Sequence, residues 1–158
     1  MAIHQILQPL RASERDPIIS ELFAWADVDP MGRLDYRPLS TAELIELAQS
    51  EFIDIGAHTV THPFLSVMTQ VDQSAEIDDS RKKLEAILKR SVDTFSYPYG
   101  NFSAETVEMV EAAGFEAALT ITSKPVVAGD NLFQMGRFGV ADWNGEKFQQ
   151  QLEEFFRA

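Results

Sequence analysis

Residues 52–63 read FIDIGAHTVTHP, a short apolar run followed at once by a polar turn. The apolar part, FIDIGA, predicts a short and mostly buried strand. His58 and His62 then stand four residues apart at the carboxyl end of that strand, where a helical turn would bring both imidazoles to one side. This spacing suits one metal ion, and two ordinary loop histidines are the alternative. Thr59 and Thr61 can hold the turn through hydroxyl hydrogen bonds.

A second segment, DTFSYPYGNFS at residues 93–103, combines a strand with a tight turn. DTFSYP predicts the strand, and Pro98 and Gly100 shape the turn that follows it. Backbone N–H groups of such a turn could point into a cleft at the strand end and stabilise an oxyanion. The alternative is an ordinary strand-to-helix turn with two packed tyrosines, Tyr97 and Tyr99.

Helical and strand patterns alternate along the rest of the chain. A capping box of Ser40 and Glu43 predicts a helix over TAELIELAQS, and acids placed before bases predict another over residues 74–90. The other predicted elements are helices at 13–26 with Pro17 near the first turn, at 103–113 before Gly114 and around Phe148 to Phe156, strands at 115–121 and 137–140, and a loop at 27–40.

This alternation predicts the α/β class, with right-handed crossovers and a mainly parallel sheet. In such folds the functional groups lie at the carboxyl ends of the strands. His58 and His62 fall at such an end. The acid-rich helix at residues 74–90 is predicted to be a solvated outer face, and His4 to be a solvated residue on an early helix.

Composition narrows the classes of function. The chain has 158 residues, 45% of them hydrophobic, which fits one domain or one piece of a larger one. The 25 acidic and 13 basic residues give a net charge of −12, which repels phosphate backbones and argues against a nucleic-acid partner. Without cysteine, histidine and carboxylate are the strong metal ligands left. The sequence shows neither a leader pattern nor 18 consecutive apolar residues, so we predict no membrane insertion and a cytoplasmic location.

The two segments together are similar to motifs of a known family. GAHTVTHP resembles H-[ST]-x-x-H-P, and SYPYG resembles R-x-P-Y-G, of the polysaccharide deacetylase family (NodB homology domain, carbohydrate esterase family 4). The resemblance runs from Ser40 to Trp143 and implies a distorted (β/α) barrel. It also implies a divalent metal, often zinc, held by an Asp-His-His triad, with His58 and His62 as the two histidines.

The resemblance assigns further residues to the site. Tyr99 would offer its backbone N–H to the oxyanion, while Arg137 and Asp142 would correspond to later motifs that orient the catalytic base. Substrate would lie against a pocket wall to which three residues are assigned, namely Tyr97, Pro98 and Trp143.

Three departures from the family pattern stand beside these assignments. The T-F-D-D motif, which supplies the base and the third metal ligand, does not occur upstream of His58. Ser96 stands where the family usually has arginine, although some members resemble the FSYPYG version. No histidine follows His62, so the late histidine that acts as general acid in many members is missing.

These departures predict a truncated arrangement. Residues 1–39 resemble a helical insertion followed by a loop, and residues 40–158 resemble a partial deacetylase domain of the NodB type. An incomplete barrel would expose strand edges, so self-association is expected.

The predicted function is metal-dependent removal of N-acetyl groups from a polysaccharide or amino sugar. One alternative is a deacetylase remnant without catalysis that binds glycan through Tyr97, Tyr99 and Trp143. The other is an amidohydrolase that acts on an amide outside carbohydrates.

Overall fold

The computed structural model describes residues 3–30 and 37–157. In this part of the chain six α-helices, two β-strands and two 3-10 turns follow one another. In chain order these are α1 (Ile3–Leu7), α2 (Ala12–Ala26), α3 (Thr41–Leu47), the turn Leu65–Val67, α4 (Gln70–Leu88), β1 (Thr94–Ser96), the turn Pro98–Gly100, α5 (Ala104–Ala112), β2 (Ala117–Leu119) and α6 (Gly145–Phe155).

The sheet is parallel, as predicted. Strands β1 and β2 pair in register, with Phe95 opposite Ala118. Single parallel bridges extend the sheet on both sides, from Ala57 to Phe95 and from Leu119 to Met135. Neighbours in the sheet are therefore neighbours in the chain, the arrangement that repeated strand-helix units produce.

Two predicted strands are wrong in extent. In FIDIGA only Ala57 pairs with β1: its N–H donates to the Thr94 carbonyl at 2.8 Å, and its carbonyl accepts from Ser96 N–H at 2.9 Å. RFGV has no strand, and the bridge to β2 lies just before it, at Met135. Residue type and spacing suggested strands at both places, but a ladder requires a partner at every second residue. FIDIGA has such a partner for one residue, and residues 137–140 have none.

The helices follow their capping signals. Ser40 accepts from the N–H of Glu43, and the Glu43 carboxylate accepts from the N–H of Ser40, so the capping box at α3 is confirmed. Helix α4 begins earlier than predicted because Thr69 caps it, accepting from Asp72 N–H. Ser103 caps α5 in the same way.

The core lies between the sheet and the helices α4 and α5. Phe95 and Ala118 point from the two strands toward Ile77 of α4 and Val110 of α5, and all four are fully buried. The opposite face of β1 carries Thr94 and Ser96, two small polar side chains. One face of the sheet thus packs on the apolar core, and Thr94 and Ser96 on the other face line a cavity.

Two arginines near the start of α2 form polar contacts between residues 3–30 and residues 61–72. Helix α2 ends at Ala26 as predicted but begins at Ala12, so Pro17 lies inside it and not in its first turn. Arg15 donates to the Thr61 carbonyl, and Arg11 forms an ion pair with Asp72. The predicted loop at 27–40 includes residues 31–36, which lie outside the described residues.

Within residues 3–30 and 37–157, no helix combines the length and apolar character that crossing a membrane would demand.

Candidate active site

Four of the predicted site residues, His58, His62, Tyr99 and Arg137, lie beyond the carboxyl ends of the sheet segments. His58 directly follows the bridge residue Ala57, and the turn Pro98–Gly100 follows β1. Arg137 follows the bridge residue Met135 on the far side. This is the edge at which parallel α/β sheets place their functional groups.

The two histidines are in contact. Their ring centroids lie 4.8 Å apart with the ring planes at 74°. His58 Nδ1 lies 2.6 Å from the Ser96 carbonyl oxygen. A carbonyl can only accept, so Nδ1 carries the proton and Nε2 of the neutral ring is left with a free lone pair. A ring oriented through one nitrogen and open at the other is the usual arrangement of a metal-ligating histidine.

The turn between the histidines is held in an unusual backbone conformation. Five non-glycine residues in the described part of the chain have positive φ. Asp27 and Lys89 are helix C-caps, but Thr59, His62 and Tyr99 all lie at this site, with φ of 65°, 57° and 58°. Positive φ is costly for a β-branched residue such as Thr59, and strain of this kind concentrates at functional sites.

Hydroxyl groups fix this turn, as predicted. Thr59 Oγ1 donates to the His58 carbonyl at 2.5 Å and accepts from His62 N–H at 3.1 Å. One side chain therefore links the backbone of both histidines.

Aromatic rings cover the second histidine. The ring of Tyr99 meets His62 edge-on at 4.4 Å and stacks on Phe64 at 4.5 Å. Burial, and next the electrostatic effect of the neighbouring His58, lowers the pKa of His62 below its ordinary value. A lowered pKa favours the neutral imidazole, which is the form that binds metal.

The YPYG turn separates the two tyrosines. Tyr97 is fully buried, and its hydroxyl donates to the Phe133 carbonyl at 2.9 Å. Pro98 is buried beside it. The assignment of these two side chains to a substrate-contacting wall is therefore corrected: both are core residues beneath the site. For Tyr97, the alternative of a packed tyrosine was the better description.

The turn leaves the predicted oxyanion donor in place. Gly100 N–H donates to the Tyr97 carbonyl at 3.0 Å and Asn101 N–H to the Pro98 carbonyl at 2.9 Å. The Tyr99 N–H takes part in neither of these bonds. Its role as an oxyanion donor stays a prediction.

Arg137 shares a cavity with His58. The cavity, about 350 Å³, is also lined by Asp54 and Ser96 and by the apolar side chain of Leu119. Ser96 Oγ is buried there without a hydrogen-bond partner among the described residues. Ser96 and Arg137 therefore line the same cavity as His58.

Asp142 and Trp143 lie farther along the chain, before α6. Asp142 is exposed and Trp143 is partly buried. Across residues 3–30 and 37–157, no three His, Cys, Asp or Glu side chains form a group that could hold a metal ion. Asp142 therefore does not complete a ligand set with the two histidines, and its predicted role in orienting a base stays a prediction.

Sequence reasoning missed the residue that holds this turn from outside. Glu76 of α4 is partly buried and accepts hydrogen bonds from residues 60 and 61, between the histidines. Its helix was predicted to be a solvated outer face, which is wrong for this side chain. A charge-patterned helix gives no signal for one inward carboxylate, because the contact spans 15 residues of sequence.

Comparison with known proteins agrees with this geometry. Residues 28–118, more than half of the chain, match the sequence profile of the family described as Polysaccharide deacetylase. The chain belongs to the polysaccharide deacetylase family, and its α/β fold is that of a partial NodB-type domain.

One curated relative and two solved structures illustrate the likeness. "Putative polysaccharide deacetylase YxkH" of Bacillus subtilis strain 168 is 26% identical over 116 residues, which cover 73% of this chain and 41% of that protein. The Streptococcus pyogenes deacetylase PplD, in complex with acetate, superposes with a TM-score of 0.65 at 22% identity, over 76% of this chain and 52% of that one. BC0361, a polysaccharide deacetylase from Bacillus cereus, gives 0.61 at 27% identity, over 74% and 37%.

These matches differ in what they establish. At 22% identity, the similarity to PplD concerns the fold alone. The chain spans about half the length, or less, of each of these three proteins.

Proposed function

We propose that this chain carries the two-histidine part of a metal-dependent deacetylase site that removes N-acetyl groups from a polysaccharide or amino sugar. The observation that carries the proposal is the contact between His58 and His62 at the strand ends, with His58 oriented by the Ser96 carbonyl. Membership of the polysaccharide deacetylase family supports the substrate class.

The donor set fits part of a catalytic zinc site. His58 and His62 would hold the ion, and a third protein ligand is usual in such sites. Bound zinc supplies Lewis acidity, which lowers the pKa of a coordinated water and polarises a carbonyl. Two imidazoles are part of the histidine and carboxylate set that catalytic zinc sites use, so His58 and His62 fit the ion, and the described residues bring no third ligand to them.

The chain's own groups would act around the acetamide. In hydrolysis, the oxygen of water adds to the carbonyl carbon, the carbon–nitrogen bond breaks, and the amine leaves with a proton as acetate is released. The Tyr99 N–H would stabilise the oxyanion that forms on the carbonyl oxygen. Arg137, in the cavity beside His58, would orient a carboxylate base, while Asp142 and Trp143 would contribute from the segment before α6.

A second candidate function is glycan binding without hydrolysis. The count of ligands favours it, because the described residues bring together two histidines and no third metal-binding group. With Tyr97 buried, binding would rely on Tyr99 and Trp143. An amidohydrolase acting on an amide outside carbohydrates would use the same site, and substrate profiling separates it from the first proposal.

Zinc titration calorimetry on the purified chain tests the proposal. We expect Zn²⁺ binding that is lost in both His58→Ala and His62→Ala. His4→Ala is the matched control, because His4 is exposed on α1 and should leave binding unchanged. Acetate release from N-acetylated oligosaccharides, measured on the same proteins, separates hydrolysis from glycan binding. Zinc binding that survives removal of both histidines would refute the proposed site.

A further inference from the structure

A single carboxylate holds the turn between the two histidines. Glu76 Oε2 accepts from the N–H groups of Val60 at 2.7 Å and Thr61 at 2.8 Å. Its other oxygen, Oε1, accepts from Thr61 Oγ1 at 2.6 Å. Hydrogen bonds to an ionised acceptor are about twice as strong as neutral ones, so three of them form a firm attachment.

The carboxylate itself stands on a rigid support. The next residue of α4, Ile77, is fully buried in the core, and Gln73 and Ser80 are buried on the same helix. Gln73 also accepts a hydrogen bond from Thr106 of α5. Groups carried on a packed helix are held more precisely than groups on a loop.

Thr61 is also held through its carbonyl group. Arg15 of α2 donates from Nη2 to the Thr61 carbonyl at 3.2 Å. The N–H, hydroxyl and carbonyl of Thr61 are therefore all engaged by other elements of the fold. Thr59 and His62, on either side of residues 60 and 61, have positive φ. This strained conformation persists only when the surrounding contacts hold it, so the bonds to Thr61 help to maintain it.

We propose that Glu76 is a positioning residue of the site: it fixes residues 60 and 61 and thereby holds His58 and His62 in the contact that two ligands of one ion require. The link to metal binding rests on the proposed function, whereas the claim that Glu76 fixes the turn rests on the three hydrogen bonds. A merely structural Glu76 would stabilise the fold without affecting the relative placement of the two imidazoles.

Glu76→Met is the discriminating variant. The methionine side chain has nearly the volume of glutamate but replaces both carboxylate oxygens with a thioether and a methyl group, so all three charge-assisted bonds are lost. Asp79→Asn is the matched control, because it removes a charge from the same helix at an exposed side chain without a hydrogen bond or ion pair to any described residue. Thr61→Val is a milder second variant that removes the hydroxyl bond alone.

The experiment uses the full chain and two readouts. Nuclear magnetic resonance measures ¹⁵N relaxation over residues 58–62 and ring-to-ring NOEs between His58 and His62, while calorimetry measures Zn²⁺ affinity. In Glu76→Met we expect fast motion in the turn, loss of the NOEs and a fall in affinity of about tenfold or more, as for other indirect supports of metal ligands. Thr61→Val should show smaller changes in the same direction, and Asp79→Asn none.

Each outcome decides the proposal. A rigid turn with intact NOEs in Glu76→Met would overturn it, even if urea denaturation showed lower stability. If Glu76→Met does not fold, Thr61→Val decides by the same measurements. If the unaltered chain binds no zinc, the proposed function fails, and the NOEs and relaxation still decide whether Glu76 positions the histidines.

Discussion

Replacing Tyr97 by phenylalanine tests whether this residue belongs to the core or to the substrate surface. The change removes only the hydroxyl, which donates to the Phe133 carbonyl at 2.9 Å in a fully buried environment. Burial also raises the pKa of Tyr97 well above its usual value, so the hydroxyl stays protonated and remains a donor throughout the accessible pH range. The variant keeps the ring contacts with Phe95 and Phe102.

The expected loss of stability in Tyr97→Phe follows from the one hydrogen bond to the Phe133 carbonyl. A buried hydrogen bond contributes about 1 kcal/mol net, and leaving a carbonyl unpaired costs about 1–3 kcal/mol. We therefore expect the free energy of unfolding to fall by about 2 kcal/mol, which lowers Tm by roughly 4–8 °C in a chain of this size. Urea denaturation followed by circular dichroism measures this change directly.

The control variant is Tyr99→Phe. The Tyr99 hydroxyl has no hydrogen-bond partner among the described residues, and the ring contacts with His62 and Phe64 would persist. We expect a change below about 0.5 kcal/mol there, the usual range for such sites. An unchanged stability of Tyr97→Phe, together with weaker binding of N-acetylated oligosaccharides, would refute the placement of Tyr97 in the core.

Three further predictions follow from the packing, the turn and the charges. Phe95→Ala should cost about 3–5 kcal/mol in urea denaturation, because Phe95 is fully buried between β1 and the helices; a loss under 1 kcal/mol would contradict this core. Gly100→Ala should cost about 1 kcal/mol or more, since φ is +65° and a Cβ would stand 2.5 Å from Ile121 Cγ1; an unchanged melting temperature would rule out the turn geometry. The hydrogen bond from Arg37 holds the pKa of Glu43 well below its usual value. The stability that ionised Glu43 contributes is therefore complete above the unfolded pKa of about 4.3 and is lost as the pH falls through the lower folded pKa. Carboxyl ¹³C titration should show that Arg37→Ala raises the pKa of Glu43.

Local signals in the sequence were sufficient for several parts of the molecule. The capping box at Ser40, the strand at β1 and the hydroxyl-held turn at Thr59 all depend on residues within a few positions of one another. The spacing of His58 and His62 predicted that a helical turn would bring them together. Their rings are in contact, but the turn is not helical and has positive φ at Thr59 and His62. Self-association and a cytoplasmic location stay predictions.

Tertiary structure decided what local pattern could not. YPYG contains two tyrosines in similar sequence surroundings, but Tyr97 is fully buried with its hydroxyl bonded to Phe133, 36 residues later, while Tyr99 stays at the site. The protonated nitrogen of His58 is set by a carbonyl 38 residues later, and the turn between the histidines is held by Glu76 across 15 residues. Hydrogen bonds between distant segments depend on how strands and helices are placed in space, because residue type and periodicity carry no information about which distant group will face a given side chain.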